Sequence, residues 1–222
     1  MNKPIKREWA RASDLTDKRF ISIKEQLQTI GTDVRKAEKG NIKAVTSRAF
    51  DMDSPTCHTR QWEWPWAAIQ MFEHLSTIKD HKPRLTTLDV GSSFRPFTIY
   101  LQQFSDVLAI DDSSYPFLED FSTLLPKYGA SFLPMNAAET NFADGMFDYT
   151  FIISMLEHTS RATMDAILAE AQRVTKHLVI CTIDKTNAVA HLLPGGFPPE
   201  DVLRTPRGKN PVAGFVFKGG SE

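Results

Sequence analysis

The chain has 222 residues, 41% hydrophobic and 24% charged, enough for one full globular core with a small appendage. A formal net charge of −1 gives no overall argument for a nucleic-acid partner, and two cysteines, Cys57 and Cys181, form neither a disulfide framework nor a zinc spacing. No apolar run follows the basic Lys3, Lys6, Arg7 and Arg11, and no stretch approaches the length of a membrane span, so a cytoplasmic protein is expected.

The first fifty residues hold 12 Lys and Arg against 6 Asp and Glu, leaving 14 against 21 for the remainder. A solvated basic helical face explains this most simply, and attraction to an acidic partner is the other reading. Phe20, Ile23, Leu27 and Ile30 recur at helical spacing, with Asp17 as a cap and Gly31 as a stop. Residues 32–59 are polar and carry no clear pattern, so residues 1–60 read as a helical extension or lid and residues 61–222 as the main domain.

A second helix should open at Pro65, a residue suited to a first helical position, and carry Trp66, Ile69, Phe72 and Leu75 on one face. Strands over 85–90, 107–111, 131–135, 147–153 and 177–183 then alternate with helices over 96–104, 116–125 and 161–175. That alternation implies right-handed crossovers and an α/β fold with a mostly parallel sheet covered on both faces. Residues 194–199 are a Pro- and Gly-rich loop, and 201–205 with 212–217 read as an antiparallel hairpin closing the C-terminal sheet edge.

The first predicted strand ends in Asp89-Val90-Gly91-Ser92-Ser93, and the next ends in Asp111-Asp112, Asp111 lying 20 residues beyond Gly91. A carboxylate at that spacing is placed to take the two hydroxyls of a ribose. A dinucleotide would need further glycines so that backbone N–H groups reach its pyrophosphate, but here Ser93 and Arg95 occupy the turn, and Pro96 has no N–H to give. A nucleoside without phosphates fits better.

These residues resemble the class I S-adenosylmethionine-dependent methyltransferases, whose first motif reads strand-Asp-x-Gly-x-Gly and whose second strand ends in an acidic residue. Ser93 stands where that family has a glycine. The likeness continues through Met135-Asn136-Ala137-Ala138-Glu139, through Phe142 to Asp148, and through Ser154-Met155-Leu156-Glu157-His158, which is similar to the Leu-Glu-His of many members. Upstream, Arg60-Gln61-Trp62-Glu63-Trp64-Pro65-Trp66 resembles an aromatic element found ahead of the first motif in one methyltransferase subgroup. The tryptophans of that run are read as packing residues.

The resemblance implies a three-layer Rossmann-like methyltransferase fold and S-adenosyl-L-methionine as cofactor. It assigns Asp89, Gly91, Ser92 and Ser93 to the methionine end, Asp111 to the ribose, Asp112 to the adenosine edge, Asn136 and Ala137 to the adenine, and Ser154 to the floor beneath the cofactor. The implied reaction is a single in-line methyl transfer, with His158 as candidate base and Glu157 second. His58, His74, His81, His177 and His191 show no ligand spacing, so no metal is expected.

Two other readings stay open. A nicotinamide-dependent oxidoreductase is disfavoured by the missing glycines, and a catalytically silent S-adenosylmethionine-binding partner or scaffold is suggested by Ser93 and the basic extension. The acidic balance after residue 50 argues against a nucleic-acid substrate, as does the missing Asn/Asp-Pro-Pro-aromatic tetrad of amino-directed DNA methyltransferases. A small-molecule, sugar or lipid-linked acceptor remains by elimination, and the oligomeric state is not legible.

Overall fold

A computed structural model describes residues 3–40, 59–79, 84–112, 118–193, 198, 202–203 and 210–220. Its strands are β1 (Lys6–Trp9), β2 (Leu85–Val90), β3 (Ser105–Asp111), β4 (Ser131–Pro134), β5 (Phe147–Ile153), β6 (Thr175–Ile183) and β7 (Ala213–Lys218). They form one sheet in the order β1-β7-β6-β5-β2-β3-β4. Strands β4, β3, β2, β5 and β6 are parallel, whereas β7 runs antiparallel to both β6 and β1.

Period-two alternation divides each central strand between two cores. On β6, Leu178 and Ile180 face one layer while Val179, Cys181 and Ile183 face the other. The first layer holds helices α1 (Lys18–Ala37), α2 (Arg60–Leu75), α3 (Pro96–Leu101) and α4 (Leu118–Lys127), and the second holds α5 (Arg161–Val174) and α6 (Thr186–Leu192). Helix–sheet–helix is therefore the architecture, in agreement with the α/β expectation. Among the described residues no helix is long and apolar enough to cross a membrane.

Several boundaries differ from those expected of the sequence. Asp17 does cap α1, its carboxylate accepting from the Arg19 amide at 2.7 Å, but the helix passes through Gly31 and ends at Ala37. Gly31 is buried there, on the face shared with Phe20, Ile23, Leu27 and Val34, and burial of that face outweighs the glycine's weak helix preference. Helix α2 begins at Arg60, so Pro65 lies inside it. Packing overrides the proline's cost: residues 62–71 are all buried, and Trp62 stacks on Trp66 with ring centroids 5.2 Å apart.

The antiparallel edge also has a different composition. β7 is flanked by β6 and by β1, a strand of four residues with a charged sequence that carries no alternating pattern. Of the expected hairpin partner at 201–205, Val202 makes one isolated bridge to Arg11, and 201 with 204–209 lie outside the described residues. The loop expected over 194–199 also lies outside them, apart from Pro198.

Gly214 on β7 lies directly beneath the Trp66 ring, and a Cβ there would come within 2.4 Å of it. Trp66 has little freedom to move, since its indole N–H donates to Glu8 at 2.9 Å. Gly214→Ala is expected to cost about 1–3 kcal/mol through overpacking, seen as a lower unfolding midpoint in thermal or urea denaturation. An unchanged midpoint would show that the ring can slide.

Candidate functional site

Strand order reverses at β2, whose neighbours β3 and β5 lead the chain away in opposite directions, and a crevice opens beyond the carboxyl ends at such a point. Gly91 leaves β2 with φ +65° and its N–H bonds the Ile110 carbonyl at 2.9 Å. A Cβ at Gly91 would stand 2.4 Å from Met155 Cγ, so both backbone sign and space require glycine. Ser93 and Ser154 also have positive φ, +43° and +47°. A left-handed non-glycine residue costs about 1–2 kcal/mol, and each serine is held by a carboxylate. The Ser93 amide donates to Asp111 Oδ2 at 3.0 Å, and the Ser154 hydroxyl donates to Glu63 Oε1.

Between these turns lies a polar cavity of ≈ 50 Å³ lined by Arg60, Trp64, Asp89, Ser92, Arg95 and Ser154, among others. Asp89 is 3% exposed and accepts from Thr98 Oγ1 at 2.6 Å. Burial pushes its pKa up to about 7; the Thr98 hydrogen bond resists and the nearby Asp111 charge adds to the rise. Asp111 is raised by burial too, against the pull of the Ser93 and Asp112 amides and of the Arg95 charge. The Ser92 hydroxyl is buried with no hydrogen-bond partner, an unsatisfied group in a polar cavity that a ligand would satisfy.

Asp89, Gly91, Ser92, Ser93 and Ser154 thus meet at one cavity, and Asp111 joins them through the Ser93 amide. Asp112 follows as an exposed residue whose amide donates to Asp111 Oδ1 at 2.9 Å. The Met135 amide bonds the Asp111 carbonyl at 2.9 Å, bringing Asn136 and Ala137 alongside. Asn136 Oδ1 closes a local turn on the Ala138 amide at 3.0 Å.

Glu157 and His158 stand apart from that cavity, in the 3₁₀ turn Leu156–His158 after β5. Glu157 is 8% exposed, and no hydrogen bond reaches either carboxyl oxygen. Burial, with the charges of Asp184 and Glu63, raises its pKa well above the carboxylate range, and Arg60 opposes the rise. The exposed His158 has Nδ1 3.2 Å from the Lys185 ammonium, which also donates to the Glu157 carbonyl at 3.2 Å. Partial burial and the Lys185 charge lower the His158 pKa against the pull of Asp184, so the ring is neutral at pH 7 and accepts at Nδ1.

Sequence reasoning missed Glu63 and Arg60. Glu63 is fully buried, its Oε1 accepting from Ser154 and, at 3.0 Å, from Thr182, while Oε2 pairs with the Arg60 guanidinium. The available signal was a carboxylate set among three tryptophans, a position where burial is forced and a partner is obligatory.

Residues 88–183 match the family model described as a methyltransferase domain. No curated protein matches the chain. Among solved structures, the magnesium protoporphyrin IX methyltransferase of Synechocystis, with S-adenosylmethionine bound, aligns at TM-score 0.51 and 12% identity over 90% of this chain and 97% of that one. A methyltransferase of Methanosarcina mazei aligns at TM-score 0.49 and 15% identity, over 64% of this chain and 95% of that one. The YcgJ protein of Bacillus subtilis aligns at 0.44 and 15% over 54% of this chain, which spans 51% of its length.

Asp89 gives a pH test of the site. With a folded pKa near 7 against an ordinary 3.8, the folded protein keeps a proton that the unfolded chain releases, so this group's contribution is full below about pH 4 and is lost as pH rises through 7. Asp89→Asn removes that dependence. In urea unfolding, the stability of wild type relative to the variant should fall by roughly 2–3 kcal/mol between pH 5 and pH 8, and a constant difference would show that Asp89 is ionised throughout.

Proposed function

We propose, from the match of residues 88–183 to a methyltransferase domain, that the protein is a class I S-adenosylmethionine-dependent enzyme that passes a methyl group in line to a small-molecule, sugar or lipid-linked acceptor. The carrying observation is the cavity at the switch point, where Asp89 and Asp111 flank the Gly91 turn. Carboxylates suit the ammonium and ribose hydroxyls of a nucleoside amino acid and would repel a pyrophosphate. Pro96 at the first position of α3 withholds an N–H that a phosphate would use.

In this reading S-adenosylmethionine supplies a methyl made electrophilic by the sulfonium charge. The chain's own groups bind and orient. Asp89 and the Gly91-Ser92-Ser93 turn take the amino-acid end, and the unsatisfied Ser92 hydroxyl gains a partner there. Asp111 retains lone pairs for the ribose hydroxyls after accepting two amides, Asp112 borders the adenosine, and Asn136 with Ala137 borders the adenine. Ser154, held by Glu63, forms the floor.

The departure at Ser93 is compatible with binding, because the serine holds a left-handed backbone, a conformation that glycine adopts most readily, and turns its amide onto Asp111. His158 is the proposed base, unprotonated at neutral pH, and Glu157 the second candidate. For Nδ1 to take a proton, Lys185 must let go of it, so Lys185 gates the base. The acidic surplus outside the first fifty residues favours a small acceptor over nucleic acid, and we place the reaction in the cytoplasm.

Calorimetric titration should find S-adenosylhomocysteine bound and NAD not bound, with Asp111→Asn weakening the former roughly tenfold through lost ribose hydrogen bonds. NAD binding alone would overturn the reading in favour of a nicotinamide enzyme. Once an acceptor is found by transfer of labelled methyl, His158→Ala should lower turnover by about 10²–10⁴ if that ring takes the acceptor's proton. Turnover within a few-fold of wild type removes His158 from the chemistry.

A further inference from the structure

Arg60 opens α2, well upstream of the matched segment, yet it lines the same cavity as Asp89 and Ser92. Resting on the cofactor reading above, we propose that Arg60 anchors the α-carboxylate of the cofactor's amino-acid tail, and that Glu63 is the positioning residue that aims it.

The tail is a zwitterion, so a cavity that fits it must offer a carboxylate to the ammonium and a cation to the carboxylate. Asp89 supplies the first. Two cations, Arg60 and Arg95, line the cavity, and they belong to opposite sides. Arg95 acts on Asp111, the carboxylate at the end of β3 proposed for the ribose. Arg60 is tied through Glu63 to Ser154 and Thr182, at the ends of β5 and β6, across the crevice from β3.

The Arg60 side chain is 23% exposed and gives Nη1 to Glu63, leaving other donors of its five for a ligand. Its partner cannot swing. Glu63 is fully buried and grips two hydroxyls with its second oxygen, so the guanidinium is held by a fixed carboxylate before any ligand arrives. A planar fork presented at constant orientation suits a carboxylate better than a mobile ammonium would.

The test compares two nucleosides by isothermal titration: S-adenosylhomocysteine, which has the tail, and 5′-methylthioadenosine, which lacks it. Arg60→Gln should weaken S-adenosylhomocysteine roughly tenfold or more while leaving methylthioadenosine within about twofold, which also reports that the variant has folded. Glu63→Gln should shift the same ratio in the same direction by less. Should Arg60→Gln not fold, Arg60→Lys keeps the ion pair, removes the fork and is read by the same ratio.

Equal weakening of both nucleosides would assign Arg60 to packing and overturn the anchor. So would S-adenosylhomocysteine affinity retained within about twofold in Arg60→Gln, or tail-dependent loss confined to Arg95→Gln. If the wild-type protein binds neither nucleoside, the cofactor reading itself fails and takes the anchor with it.

Discussion

The buried Glu63 carboxylate is the constraint on which the arrangement of the site depends. It stands in an aromatic helix, fully out of solvent, and is satisfied by one guanidinium and two hydroxyls. Removing one partner of such a pair typically costs about 3–5 kcal/mol because the other is left as an uncompensated buried charge. The contacts join α2 to the ends of β5 and β6 and hold Ser154 in its left-handed backbone. A helix whose tryptophans merely cover the sheet would set its depth; the carboxylate adds an angular register.

A second set of acids stands on β2 and β3. Asp89 and Asp111 are both pushed upward by burial, and the Asp111 charge adds to the cost of ionising Asp89. Such a site favours a ligand that brings positive charge and hydroxyl donors. Fold and chemistry agree here, since the same turn that needs glycine at 91 places the Ser93 amide on Asp111.

How much of this was legible follows from which forces act locally. The five parallel strands were readable because short segments rich in apolar and β-branched residues alternate with helical patterns, and the Gly91 turn because its spacing to Asp111 is set by geometry within one crossover. β1 was not, because Lys6-Arg7-Glu8-Trp9 has no pattern of its own and becomes a strand only by pairing with β7. The starts and stops of α1 and α2 were misplaced where packing outweighed the local preferences of Gly31 and Pro65. Glu63 and Arg60 escaped notice because their meaning lies in contacts 91 and 119 residues away along the chain.

The pairing of β1 with β7 bears on how the protein is born. Residues 6–9 leave the ribosome ahead of their hydrogen-bonding partners at 213–216, which are made more than two hundred residues later. At synthesis rates of about 5–20 residues per second, the segment waits ten seconds or more with its backbone unsatisfied by any strand. Its two cations and one acid keep it wetted and discourage it from pairing with a neighbouring nascent chain during that interval.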